Sequence, residues 1–427
     1  MAGSILLYTL TLGENLMSEA SQMDAYQIPI EAINVSDAQL FKTDTCWPYF
    51  QRLREEAPIH YCAESDFGPY WSVTRFHDIM AVDKNHQDFS SMGGVSIGNR
   101  SPDFEAPNFI SMDPPVHAEQ RKSVTGVVAP MNLAKLEAII RQRVIQILDQ
   151  LPENEEFNWV DKVSIELTTQ MLATIFDFPF DERRKLTAWS DLATSSTALG
   201  GVLPDEERRQ GLMECLAYFT ELRNERANWD PKEHNDLITL MAHNPIMSSL
   251  EPMEYLGNLL LLIIGGNDTT RNSISGGVYA LNLFPEQYEK LRQAPALVHS
   301  MVPEIIRWQT PLTHMRRIAK RDVELHGQTI KEGDKVVMWY LSGNRDESVI
   351  KDATQFIIDR ENPRRHLSFG YGIHRCMGNR LAEMQLRVLW QEIMRRFHMI
   401  EVVGDAERVS SNFIRGYSQL PVRVHRI

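Results

Sequence analysis

The segment Phe369-Gly370-Tyr371-Gly372-Ile373-His374-Arg375-Cys376-Met377-Gly378 constrains this chain more than any other. One cysteine stands in a loop punctuated by glycines. Two basic residues precede it, and a helix-forming run over 379–397 follows. Glycine lets the backbone turn sharply and come close to a flat ligand. The start of the following helix directs amide N–H groups and partial positive charge at the sulfur, which favours thiolate over thiol. A lone thiolate in such a pocket suits the axial position of a haem iron. Two plainer readings stand beside it. A single loop cysteine is often structural or inert. A zinc site would need more Cys or His at ligand spacing, and His374 is the only close candidate.

The chain can build such a pocket. Its 427 residues, 43% hydrophobic and 24% charged, are enough to bury a large core and a cofactor. No linker, repeat or low-complexity tract divides it, so residues 21–427 read as a single domain behind a disordered leader, 1–20. Met17 is a second candidate start. The net charge of −13 argues against general nucleic-acid binding. Cys46, Cys62, Cys215 and Cys376 are scattered and imply no disulfide framework, as in a reducing cytoplasm. The apolar runs 5–12 and 256–266 are too short to span a bilayer, so no membrane anchor is expected.

Periodicity predicts a mainly α chain with a minor β region. Apolar residues recur at helical spacing over 131–151, 165–176, 205–228, 252–283, 285–292 and 298–308. Short strand patterns fall at 59–60, 70–73, 323–325, 336–339 and 420–425, and His326-Gly327-Gln328 reads as a hairpin turn. The segment 92–112 is a long loop of the kind that often carries function.

Inside the helix predicted over 252–283 lies Gly265-Gly266-Asn267-Asp268-Thr269-Thr270. Each mid-helix glycine costs about 1 kcal/mol relative to Ala. Gly265 and Thr269, four apart, share a face, so a notch lies beside a hydroxyl. A close helix crossing, with Thr269 bonded back to its own backbone, is the rival account. Glu304 and Arg307 form an i,i+3 pair that contributes only ~0.3 kcal/mol on an exposed surface. His117 and Arg121 share a helical face in Asp113-Pro114-Pro115-Val116-His117-Ala118-Glu119-Gln120-Arg121. Arg364, Arg365, Arg375, Arg380, Arg387, Arg395 and Arg396 crowd the region 360–398 of an otherwise acidic chain.

The cysteine loop, Gly265–Thr270, Glu304-Ile305-Ile306-Arg307 and the Arg360 segment occur in the order, and with the residues, of the cytochromes P450. The chain resembles that family from about residue 28 to 426. The resemblance implies a cytochrome P450 fold, haem (iron protoporphyrin IX) as cofactor, Cys376 as the iron ligand, and Phe369 and Gly378 beside it. It implies His117, Arg121, Arg317 and His374 as propionate partners, with Arg316 a rival for Arg317. Asp268 and Thr269 match the family's acid–alcohol pair, which relays protons. Glu304, Arg307 and Arg360 match the network that locks a helix to the cysteine loop. Leu261, Ile264, Gly265, Leu312, Thr313, Met315, Phe413 and Ile414 match substrate-facing positions, and Arg100 and Asp103 could meet a polar head group.

A narrower likeness runs through Gly266-Asn267-Asp268-Thr269-Thr270-Arg271-Asn272-Ser273, Ile305-Ile306-Arg307-Trp308-Gln309-Thr310-Pro311 and Arg364-Arg365-His366-Leu367-Ser368-Phe369-Gly370. These segments are similar to bacterial alkane and fatty-acid terminal hydroxylases. The implied reaction inserts one oxygen atom of O2 into a terminal C–H bond of a small apolar substrate, a medium-chain n-alkane or fatty acid. Two electrons then come from ferredoxin and ferredoxin reductase, which the arginine-rich region would steer. A cytoplasmic monomer is expected. A steroid or terpene hydroxylase is the alternative within the family, and a peroxide-driven peroxygenase or a haem sensor the alternative outside it.

Overall fold

The computed structural model describes residues 25–99, 104–195 and 204–427. The leader expected over 1–20, and Arg100 and Asp103, lie outside the described residues.

The longer helices are α1 (Trp47–Glu56), α2 (Phe76–Lys84), α3 (Val116–Thr125), α4 (Pro130–Asp149), α5 (Glu166–Phe176), α6 (Arg184–Thr194), α7 (Asp205–Arg226), α8 (Pro252–Leu283), α9 (Pro285–Gln293), α10 (Val298–Gln309) and α11 (Asn379–Arg396). The 32 residues of α8 make a rod about 48 Å long. It runs through the main apolar cluster and packs against α5, α6, α10 and α11. Glycines allow the close crossings. A Cβ on Gly266 would meet Leu172 of α5 at 2.8 Å, and one on Gly277 would meet Ile305 of α10 at 2.9 Å.

The minor β region is mainly one sheet built from β1 (Ile59–Cys62), β2 (Tyr70–Val73), β3 (Phe89–Ser90), β4 (Met315–Ala319) and β5 (Lys335–Met338), in the order β1-β2-β5-β4-β3. Only the β2–β5 pair is parallel. The hairpin expected at His326-Gly327 joins Val323–Leu325 to Gln328–Ile330, with φ of 51° and 75° at its two turn residues, as a two-residue type I′ turn requires.

Two local expectations change. The run expected to stay helical to Phe397 stops at Arg396, and Phe397 opens a strand paired with Pro421–Arg426. β4 was not legible as a strand, because its Met-Arg-Arg-Ile-Ala pattern lacks apolar alternation. Arg316 and Arg317 are both buried there and find their partners far away in sequence. Among the described residues no single helix is long and apolar enough to cross a membrane.

Candidate active site

The cysteine loop is held from outside by an aspartate that sequence reasoning did not single out. Asp83, near the end of α2, is 2% exposed. It accepts hydrogen bonds from the Tyr371 amide (2.8 Å), the Tyr340 hydroxyl (2.8 Å) and Arg317 Nη2 (2.6 Å). Gly370 and Gly372 lie at φ of 67° and 70°, and a Cβ on Gly372 would strike the Asp83 carbonyl at 2.7 Å. The turn therefore closes tightly on α2, and the Cys376 amide donates back to Phe369 O at 2.8 Å. Burial raises the Cys376 thiol pKa. The amides of Gly378 and Asn379 at the start of α11, and the charges of Arg121 and Arg375, oppose that rise. The pull toward thiolate from the helix start is present, but desolvation outweighs it, so the net shift runs against the sequence expectation.

The two accounts of the glycine pair both hold, one for each glycine. A Cβ on Gly265 would meet nothing within 4 Å, so this glycine opens the notch, while Gly266 makes the close crossing with α5. Thr269 lines the resulting cavity and its hydroxyl donates to Gly265 O at 2.9 Å. Asp268 points away. It is fully buried, paired with Arg271, and accepts from Ser190 Oγ of α6 at 2.9 Å. Burial raises its pKa against the pull of the Arg271 guanidinium. Arg271 also reaches Asp191 at 3.0 Å, so the acid is tied to α6 rather than presented to the cavity.

Glu304 and Arg307, an unremarkable pair on paper, are 0% and 1% exposed. Arg307 donates twice to Glu304 (2.7 and 2.8 Å) and to the carbonyls of Asn344, Ala353 and Gln355. Arg360 Nε reaches both Glu304 oxygens at 3.0 Å. This network joins α10 to the segment leading into the cysteine loop.

All of this surrounds a cavity of about 540 Å³. Cys376, Phe369, Gly378, Arg121, Arg317 and His374 line one part of it. Leu261, Ile264, Gly265, Leu312, Met315 and Phe413 line another. Three expected residues stand behind the wall. Thr313 is fully buried and its hydroxyl donates to Asn412 O. Ile414 forms a β-bridge with Leu312 and supports it. His117 sits with its ring 4.0 Å from that of His374, its nitrogens facing the carbonyls of Phe109 and Ile373. Of the adjacent pair, Arg317 lines the cavity and Arg316 does not. Sequence reasoning missed Phe104, in the loop over 92–112, and Leu172, Leu212 and Leu260, which come from three separate helices and had only core-like periodicity to mark them.

The family profile described as Cytochrome P450 matches residues 206–416. The structure of a cytochrome P450-153 from Novosphingobium aromaticivorans superposes with a TM-score of 0.85 at 42% identity, covering 92% of this chain and 99% of that one. The linalool 8-monooxygenase of Pseudomonas putida is 36% identical over 406 residues, 92% of this chain and 99% of that protein. This chain belongs to the cytochrome P450 family. A methyl-branched lipid omega-hydroxylase of Mycobacterium bovis is 31% identical over 392 residues, 87% of this P450 and 90% of the relative.

The cofactor of a cytochrome P450 is haem, and the residues of this P450 fit it. Cys376 Sγ opens onto the cavity, and Gly378 leaves the space beside it clear, an added Cβ lying 4.0 Å from the sulfur. Arg121 and Arg317 bring guanidinium groups, which suit buried carboxylates. His374 Nδ1 is buried with no hydrogen-bond partner in the protein, while Nε2 meets Ser91 Oγ at 2.9 Å. Burial, with the nearby Arg317 charge, pushes His374 down to about 2. Its open Nδ1 is available to a cofactor carboxyl group.

The arginine-rich region is less free than its composition suggests. Arg364 pairs with Glu383, Arg387 with Glu137, Arg395 with Glu392, and Arg396 with Asp149 and Glu392. Among the described residues, Arg365, Arg375 and Arg380 are exposed and make no ion pair.

Proposed function

We propose that this P450 monooxygenase hydroxylates the terminal carbon of medium-chain n-alkanes or fatty acids, taking electrons from a ferredoxin and its reductase. The carrying observation is the apolar wall of Leu261, Ile264, Leu312, Met315 and Phe413 beside the Gly265 notch. These five side chains themselves offer no polar group to fix a head group. A methylene contributes about 0.8 kcal/mol on burial wherever it lies, so wall shape must select the chain end. The omega-hydroxylase among the relatives supports this reading. The linalool enzyme supports a terpene as the second substrate class.

In this reading Cys376 holds the haem iron, with Arg121, Arg317 and His374 on its carboxyl groups and His117 behind His374. Haem supplies the activation of O2. One oxygen atom enters the C–H bond and the other leaves as water, with two electrons and two protons consumed. Thr269 holds a proton donor at the notch, and Asp268 serves the relay once it leaves Arg271 and Ser190. Glu304, Arg307 and Arg360 keep the cysteine loop in place. Arg365, Arg375 and Arg380 attract an acidic ferredoxin.

The test is product analysis with octane, dodecanoic acid, linalool and a steroid, using ferredoxin, reductase and NADH, with hydrogen peroxide alone as control. Terminal alcohols from the linear substrates are expected, with Leu312→Ala raising the subterminal share. Faster turnover of the steroid or linalool, mainly mid-chain alcohols, or equal activity with peroxide alone would overturn it.

A further inference from the structure

Side chains alternate along β4. Met315 and Arg317 reach the cavity; Arg316 between them does not. It is 2% exposed and turned onto the segment 93–99. Its backbone amide donates to Val95 O at 2.6 Å. Its guanidinium donates to Gly93 O (2.6 Å), Gly94 O (3.3 Å), Gly98 O (3.3 Å) and Asn99 Oδ1 (3.0 Å). Gly93 and Gly94 adopt φ of 83° and 115°, which side chains disfavour and which these inward carbonyls accompany. Two residues before Arg316, His314 Nε2 accepts from the Ile97 amide at 3.1 Å. Gly94, Val95, Ser96 and Asn99 of the gripped segment line the cavity.

We infer that Arg316 is a positioning residue for regioselectivity, holding segment 93–99 as a fixed section of the substrate-cavity wall. The inference rests on the terminal-hydroxylation reading, because a wall selects a chain end only if it does not move. A segment of this length with three glycines (Gly93, Gly94 and Gly98) has many conformations of its own. A guanidinium presents five N–H donors in a rigid plane, enough to meet several acceptors at once. A lysine ammonium offers three donors from one point and cannot span them. Arg316 is not among the cavity-lining residues, and its influence passes through the segment it holds.

The test compares haem-loaded Arg316→Lys and Arg316→Met with the unmutated protein on dodecanoic acid. Haem content and the thiolate signature of the reduced, carbon-monoxide-bound form should persist. The ratio of subterminal to terminal alcohol should rise several-fold, KM should rise more than kcat falls, and Lys should fall between Arg and Met. An unchanged product ratio in both variants would overturn the inference and leave Arg316 a stabilising residue only. Should Arg316→Met fail to fold, Gly93→Ala decides. It strains the same segment while leaving the guanidinium in place, and it should shift the ratio in the same direction; an unmoved ratio counts against the inference. If the unmutated protein makes no terminal alcohol, the functional reading fails. The clamp is then judged on whichever alcohol predominates, by the same shift.

Discussion

Glu304→Gln is a sharp test of how the cysteine loop is held. The carboxylate is fully buried and accepts from Arg307 Nε and Nη2, Arg360 Nε and the Ile357 amide. Glutamine keeps the shape. It puts an NH2 where an oxygen accepted, and it removes the countercharge of two guanidiniums. Removing one partner of a buried ion pair costs about 3–5 kcal/mol, because the other charge is left stranded. Domains are stable by only about 5–15 kcal/mol, so the loss is a large fraction of the whole. With a urea dependence of about 3 kcal/mol per molar or more for a chain of this size, the unfolding midpoint should fall by roughly 1 M. Midpoints are compared rather than a single free energy, since a cofactor-bound protein need not unfold in two states. The assay follows tryptophan fluorescence in urea, alongside the carbon monoxide difference spectrum. That spectrum should lose part of its thiolate band as the loop loosens. Glu304→Gln/Arg307→Met removes one of the two stranded guanidiniums but leaves Arg360 and takes the donor from the carbonyls of Asn344, Ala353 and Gln355, so it should not restore the midpoint. An unmoved midpoint with a full thiolate band in Glu304→Gln would refute the argument.

Three other outcomes follow from the site. Cys376→Ala should abolish the red-shifted Soret band of the reduced, carbon-monoxide-bound protein; its retention would remove Cys376 as the iron ligand. Thr269→Ala should bind substrate nearly as well but release more peroxide per NADH consumed, and an unchanged product-to-NADH ratio would argue against its place in the relay. His314, fully buried, is pushed down to about 3 by desolvation. Its folded pKa lies below the unfolded value near 6.5, so its neutral form is preferred in the fold. Stability is fully present above pH 6.5 and is lost as pH falls toward 3, by about 2 kcal/mol at pH 5 from 1.5 units at 1.36 kcal/mol each. His314→Gln should flatten the fall of the unfolding midpoint between pH 6.5 and 4.5, and an equally steep fall would refute this account.

What the sequence determined by itself was the set of features carried by short range. The glycines that turn the cysteine loop, the 252–283 helix with its Gly-Gly notch, and the turn at His326-Gly327 each depend on φ preference or period, which neighbours in sequence decide. Residue types marked Cys376, and the resemblance to the family added Thr269, Arg121 and His374 as candidates for the same site. Which way adjacent side chains point was decided only by the tertiary structure. Leu312 faces the cavity and Thr313 turns to Asn412 because the Leu312–Ile414 bridge sets the local direction. Arg317 and Arg316 part company because β4 alternates between the cavity and segment 93–99. Thr269 lies on the wall and Asp268 is tied to α6, since a step of one residue rotates a helix by about 100°. Asp83, which anchors the loop from 288 residues away, left no mark in the local pattern. Its value is a long-range one: a buried carboxylate becomes stable only when three donors from different elements converge on it.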